Sequence, residues 1–261
     1  MTSIAHCLLP WLFFIQSGTQ CVPTQSHVIC VDELENTYLV HHNFIERLSR
    51  NGKPFFRTSE LSQGEITSFD ITNPLKPFVY FKGTGKIIFF DNTLSRSSQE
   101  IDLYAVGHEQ IELVAGSRGD HMWFWDAGNS EIIRRDDQMR KKFSSGNLAV
   151  LLKRKIKPLQ MIERGNNLYM LTEDAIIVFD MYGRYKTLFD VHSDTPLAYS
   201  SERILYCEND TIKFIHEDLV SAGKLEGAYP KMKSFQYREK KLYLLIHDEF
   251  CVIENVKIVN N

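Results

Sequence analysis

The sequence predicts an all-β fold, a β-propeller of about six four-stranded blades. Two observations carry that prediction. A hairpin unit recurs at a spacing of roughly 40 residues, and its strands are short, apolar and aromatic. No segment carries a 3.6-residue apolar stripe over three turns, so a helical reading competes poorly.

Each unit is an apolar strand, a polar turn, a second apolar strand and usually an acid. The first and weakest copy pairs Tyr38–His41 with Phe44–Leu48. The second runs Phe78–Phe81, turns through KGTG and returns along Lys86–Asp91. Then come Met122–Trp125 with Glu131–Asp136, Leu168–Leu171 with Ala175–Asp180, and Ile204–Cys207 with Thr211–His216. The last copy pairs Leu242–Leu245 with Phe250–Glu254. A third strand precedes most copies, at Ile66–Ile71, Ile111–Ala115, Leu159–Glu163, Leu197–Ser200 and Met232–Tyr237. A fourth follows in Ser97–Leu103 and Arg184–Phe189, while 135–152 is polar enough for a loop or short helix.

Four short strands per unit is blade spacing, and one such sheet cannot bury both its faces. Neighbours must stack, and a closed ring leaves no exposed end. Five or seven blades, or a β-sandwich, are the alternatives. Tyr80, Tyr169, Tyr206 and Tyr243 hold matching places in the first hairpin strand and should be buried at equivalent positions. The pattern resembles β-propeller repeats of the loose NHL or YVTN kind. The stretch FDITNPLKPFVYFKGTGKIIFFDNTLS (Phe69–Ser95) in particular is similar to segments of exported propeller-like proteins of the Bacteroidetes. The resemblance brings no active site with it. Trp125-Asp126 is a lone WD dipeptide, unrepeated in the other units, and does not support a WD40 assignment.

Composition is compatible with such a ring: 43% apolar and 12% aromatic residues suffice for a large core. A net charge of −3 supplies no long-range field for nucleic acid. The run Cys7–Ile15 is nine residues long, against about 20 needed to cross a bilayer. It suits the apolar region of a secretory signal, although MTSIAH ahead of it carries no cation and Pro10 interrupts it. Residues 1–20 are therefore expected to be a signal-like segment and 21–261 a single propeller domain. Cys21 after Gly18-Thr19-Gln20 resembles a lipid-modified cysteine faintly, and lipidation there would be the route to a membrane. Five scattered cysteines make no disulfide framework, and Cys207 and Cys251 read as buried inert thiols.

Chemical motifs are sparse. Gly83-Thr84-Gly85-Lys86 lacks the first glycine of a phosphate loop and the Ser or Thr after the lysine, so a hairpin turn explains it. No H-E-x-x-H, C-x-x-C, G-x-S-x-G or calcium-loop pattern occurs among the nine histidines, the cysteines and the acids. The expectation is thus no catalytic residue, metal or cofactor. Two contact surfaces are candidates. His121, Trp123 and Trp125 alternate along one strand face and would suit a sugar or peptide if that face were open; inter-blade core is the default. Arg134, Arg135, Arg140, Lys141 and Lys142 form a basic cluster for an anionic partner, diluted by Asp136 and Asp137. The functional expectation is a non-enzymatic binding or scaffolding propeller, exported to a bacterial envelope. Its partner would be another envelope protein or a glycan or peptide ligand. The alternative is an envelope hydrolase or lyase with its site at one mouth of the channel.

Overall fold

A computed structural model describes residues 20–49, 52–220 and 222–260. The leader-like run Cys7–Ile15 lies outside the described residues. The rest forms a β-propeller of six sheets. Blades I to VI span 28–59, 68–102, 111–144, 158–190, 198–225 and 232–253. Within each, consecutive strands pair antiparallel from the channel outwards. The innermost strands are Val28–Val31, Ser68–Asp70, Ile111–Ser117, Pro158–Arg164, Ala198–Ser200 and Met232–Arg238. Because every blade enters at its inner strand, all six run the same way along the axis. Their starts gather at one end of the channel and their last residues at the other.

Stacking of blades is visible as six apolar clusters, one for each neighbouring pair. Tyr38, Ile45, Val79 and Phe81 join blades I and II; Tyr80, Ile87, Met122 and Phe124 join II and III. Trp123, Ile132, Leu168 and Phe179 join III and IV, and Tyr169, Val178, Ile204 and Tyr206 join IV and V. Leu205, Phe214, Phe235 and Leu244 join V and VI. Ile29, Leu39, Tyr243 and Leu245 join VI back to I and close the ring. Both faces of the middle strands are therefore core, which is why Asn167–Thr172 is buried at every position.

The recurring tyrosines are all buried, but Tyr206 differs in orientation. Tyr38, Tyr80, Tyr169 and Tyr243 pack toward the next blade, with Trp123 in that role in blade III. Tyr206 packs back against blade IV, because a one-residue shift along a strand exchanges its two faces.

In blades II, III and IV the acid that closes the hairpin builds the following turn. Oδ1 of Asp91 accepts the amides of Thr93 and Ser95, and Oδ1 of Asp136 accepts those of Gln138 and Arg140. Asp180 holds Tyr182 and Arg184 in the same way, and in blade I Asp32, which follows the innermost strand, holds Leu34 and Asn36. The third residue after each acid has positive φ: Leu94 at 59°, Met139 at 61°, Gly183 at 75° and Glu35 at 60°. A short carboxylate reaching forward to two amides stabilises this turn.

Two expectations are corrected here, and the strands at the two ends of the described chain find their blades. The segment 135–152 is not only loop and helix: Lys141–Ser144 completes blade III before a one-turn helix, Leu148–Leu152. Blade VI takes its fourth strand from Gln20–Pro23, which pairs with Glu249–Ile253 and closes the ring. The late strand Ile258–Asn260 instead adds a fifth strand to blade V. Finally, Cys251 is not a free buried thiol. Cys21 sits directly opposite it and the two form a disulfide, leaving no Sγ at Cys21 for lipid attachment in this form. Cys30 and Cys207 remain free.

Candidate functional site

The central channel opens at the starting ends of the inner strands into a cavity of about 350 Å³. Blades I, II, III, IV and V contribute to it. His27, Gln160, Asp194 and Thr195 stand at or near those starting ends, and Cys30, Ser68 and Asp70 also line it. No single blade carries the site, and the contributions of successive blades lie roughly one repeat apart in the chain.

Electrostatics differ along the cavity wall. Burial, then the nearby His42 and His41, lower the pKa of His27, so its ring is neutral at pH 7. It stacks on His42 at 4.8 Å, and His42 Nδ1 lies 3.6 Å from Glu65. Cys30 borders the cavity and is half-buried. Burial, with Asp70 adding to it, pushes its thiol up to about 12. A thiol so protonated is a poor nucleophile. Asp70 itself is engaged, accepting the amides of Thr72 at 2.8 Å and Gly116 at 2.7 Å. These groups set a few polar points in a wall otherwise dominated by apolar side chains such as Phe69, Leu113, Met161 and Leu171, an arrangement suited to orienting a ligand.

At the other end stands Tyr199. It is 8% exposed, and its hydroxyl lies 3.5 Å from the Val31 carbonyl of blade I. Blade I is not next to blade V, so the ring must reach inward across the channel to make that approach. Arg164 from blade IV stacks over it with Cζ 3.3 Å from the centroid. Arg238 from blade VI donates to the hydroxyl at 3.1 Å. Tyr199, flanked by the two guanidinium groups, thus lies across the channel at this end.

The residues singled out from the sequence fall elsewhere. Trp123 and Trp125 are 0% and 1% exposed and lie in the core between blades III and IV. Trp123 Nε1 donates to Glu163, which also accepts Ser117 Oγ at 2.6 Å and the Arg118 amide at 3.1 Å. A ligand could stack on neither indole without displacing blade IV. His121 is half-buried, its Nδ1 3.1 Å from the Arg118 carbonyl, beside a small recess of about 40 Å³.

The basic cluster is dispersed rather than joined. Arg134 turns inward, donating to Ser117 Oγ at 2.9 Å, and Arg135 donates to the Met139 carbonyl at 2.8 Å. Arg140 and Lys142 both pair with Asp136, at 2.7 and 3.1 Å. Burial opposes the charge on Asp136, but hydrogen bonds from Arg140 and Lys142 outweigh it and hold the carboxyl below its usual range. Lys141 is exposed. Among the described residues, the one grouping of potential metal ligands is Cys21, Glu249 and Cys251, in which both sulfurs belong to the disulfide.

Sequence reasoning missed Arg164, Tyr199 and Arg238. Arg164 and Arg238 each end an inner strand, two repeats apart, and aligning inner-strand ends would have paired them.

No family model matches the chain, and no curated protein matches it. Solved structures do. PorZ of Porphyromonas gingivalis, described as an essential surface component of the type-IX secretion system, superposes with a TM-score of 0.54 at 10% identity. That match covers 92% of this chain, which spans only 38% of PorZ. Virginiamycin B lyase from Staphylococcus aureus gives 0.59 at 12% identity, covering 92% of this chain and 99% of the lyase. An extracellular domain from B. thetaiotaomicron gives 0.57 at 12%, covering 87% of this chain and 33% of that one. At such identities the likeness establishes the fold alone.

Proposed function

We propose that this chain is an exported, non-catalytic binding module of a bacterial cell envelope, receiving a peptide or glycan segment of a partner in its central channel. The observation that carries the proposal is the cavity of about 350 Å³ walled by five blades, with the Tyr199 side chain reaching across the channel beyond it. Ligand pockets have this concave form, with a few convergent polar groups. The unreactive Cys30 thiol supports recognition over nucleophilic chemistry. The Cys21–Cys251 disulfide favours an oxidising compartment. The likeness to a bacterial surface component and to an extracellular domain supports the same setting.

The test joins location to binding. Protein isolated from its host should fractionate with the envelope, begin at or before Gln20 and hold the disulfide. A tagged chain should capture a partner from envelope extracts that Leu159→Arg, at the exposed channel mouth, loses. Recovery of intact Met1 with reduced cysteines in the cytosol would end the export half. Equal capture by Leu159→Arg would end the channel half.

A hydrolase or lyase at the same mouth is the second reading. It is favoured by His27, neutral at pH 7 and so able to act as a base, lining the same cavity as Asp194. Turnover of an ester, glycoside or lactone, abolished in His27→Gln, would replace the first reading with this one.

A further inference from the structure

We propose that the Tyr199 end of the channel carries a phosphate-binding site formed by Arg164 and Arg238. It lies at the opposite end from the open mouth and holds whether or not the envelope reading does.

The argument begins with charge. Each arginine ends an inner strand, and the two come from blades on either side of Tyr199. Arg164 Cζ is 3.3 Å and Arg238 Cζ 5.1 Å from the Tyr199 ring centroid, so the two carbons are at most about 8.4 Å apart. Two guanidinium groups within that distance can both hydrogen-bond one phosphate. Two cations this close repel, and neither has a carboxylate partner within 4.0 Å among the described residues. Glu163, adjacent to Arg164, is turned to blade III by Ser117, Arg118 and Trp123.

Donor accounting points the same way. Arg164 gives one terminal nitrogen to the Glu163 carbonyl at 3.1 Å, and Arg238 gives one to the Tyr199 hydroxyl at 3.1 Å. The Nε atoms of both are buried and have no protein acceptor. A buried donor on a charged group is costly to leave unpaired. The planar guanidinium presents Nε–H and a terminal N–H as a fork that matches two oxygens of a phosphate. Stacking on Tyr199 fixes the Arg164 plane before any ligand arrives, which lowers the ordering cost of binding. Both residues are half-buried overall while each Nε is shielded from solvent, so an anion reaches the forks only as the two side chains shift apart.

Free phosphate and the phosphate of a sugar ester present the same chemistry. Inorganic phosphate and glucose 1-phosphate are therefore the two probes, titrated into the folded chain against sodium chloride of equal ionic strength. Calorimetry measures affinity, and the arginine Nε–H resonances in a proton–nitrogen spectrum report the site in the unmodified protein. Both Nε–H signals should shift saturably, and Arg164→Gln or Arg238→Gln should weaken binding about tenfold or more, the loss expected for one charge-assisted pair. Tighter binding of the sugar ester would assign a glycan phosphate, and equal binding the free ion. Resonances unmoved by either probe would overturn the site, as would affinity unchanged in both variants. If a glutamine variant fails to fold, the wild-type titration still decides, and Arg238→Lys supplies the weakened comparison. Failure here leaves channel-mouth capture untouched, since that experiment reads Leu159.

Discussion

Cys21 and Cys251 face each other across paired strands, 230 residues apart in sequence, and a disulfide joins them. The bond lies where the first described strand completes the last blade, so it fastens the closure of the ring itself. Val22 packs beside it against the cluster between blades VI and I. Cys21→Ser should therefore cost roughly 2–5 kcal/mol, chiefly by freeing the unfolded chain from a very long loop. Urea unfolding with and without reductant measures this. A midpoint equal to that of the wild type would show that pairing of Gln20–Pro23 alone closes the ring.

Tyr169 and Trp123 hold corresponding places in blades IV and III, each fully buried against the following blade. Replacing either by alanine should cost about 3–5 kcal/mol. Trp123→Phe keeps most of the volume but removes the donor to Glu163, and about 1–3 kcal/mol is expected. Thermal melts of the three variants should follow that order. An unaltered Trp123→Ala melt would return the indole to a surface role.

The free thiols should be silent in the native state. Burial pushes both Cys30 and Cys207 up to about 12, leaving almost no thiolate at neutral pH. At neutral pH, alkylation followed by mass spectrometry should modify each far more slowly in the folded protein than after denaturation. Rapid labelling of Cys30 in the folded protein would contradict its raised pKa.

Acid should destabilise the protein before its carboxylates titrate. Burial lowers the pKa of His27, His41 and His108 below the ordinary 6.5. The unfolded chain then binds more protons than the native one, so stability falls as pH drops below about 6.5 and levels off beneath the native values. Melting temperature should decline between about pH 7 and 5, less steeply in His27→Gln. A flat profile over that window would refute the burial of these rings.

Much of the blade is legible in the chain because its determinants are local. Ile87, Ile88, Phe89 and Phe90 read as strand on composition alone, and Asp91 after them reads as a turn former. Repetition of that local unit then implies stacking, since Tyr80 and its equivalents must be covered by a neighbour. The indoles of blade III show where this reasoning stops. Alternation put Trp123 and Trp125 on one face, but only packing could show that blade IV covers that face.

By itself the sequence determined the repeating unit, its aromatic core and its carboxylate-built turns, because each rests on residues within a few positions of one another. Tertiary structure decided which strand completes blade VI. Gln20–Pro23 and Ile258–Asn260 are both short segments able to pair with an edge, and backbone pairing carries no side-chain code to choose between them. It also decided the channel floor. Arg164, Tyr199 and Arg238 are about one repeat apart, and each looks like an ordinary residue of an inner strand until closure of the ring brings them around one axis. A circular fold draws its site from residues that share a position in the repeat and no neighbourhood in the chain.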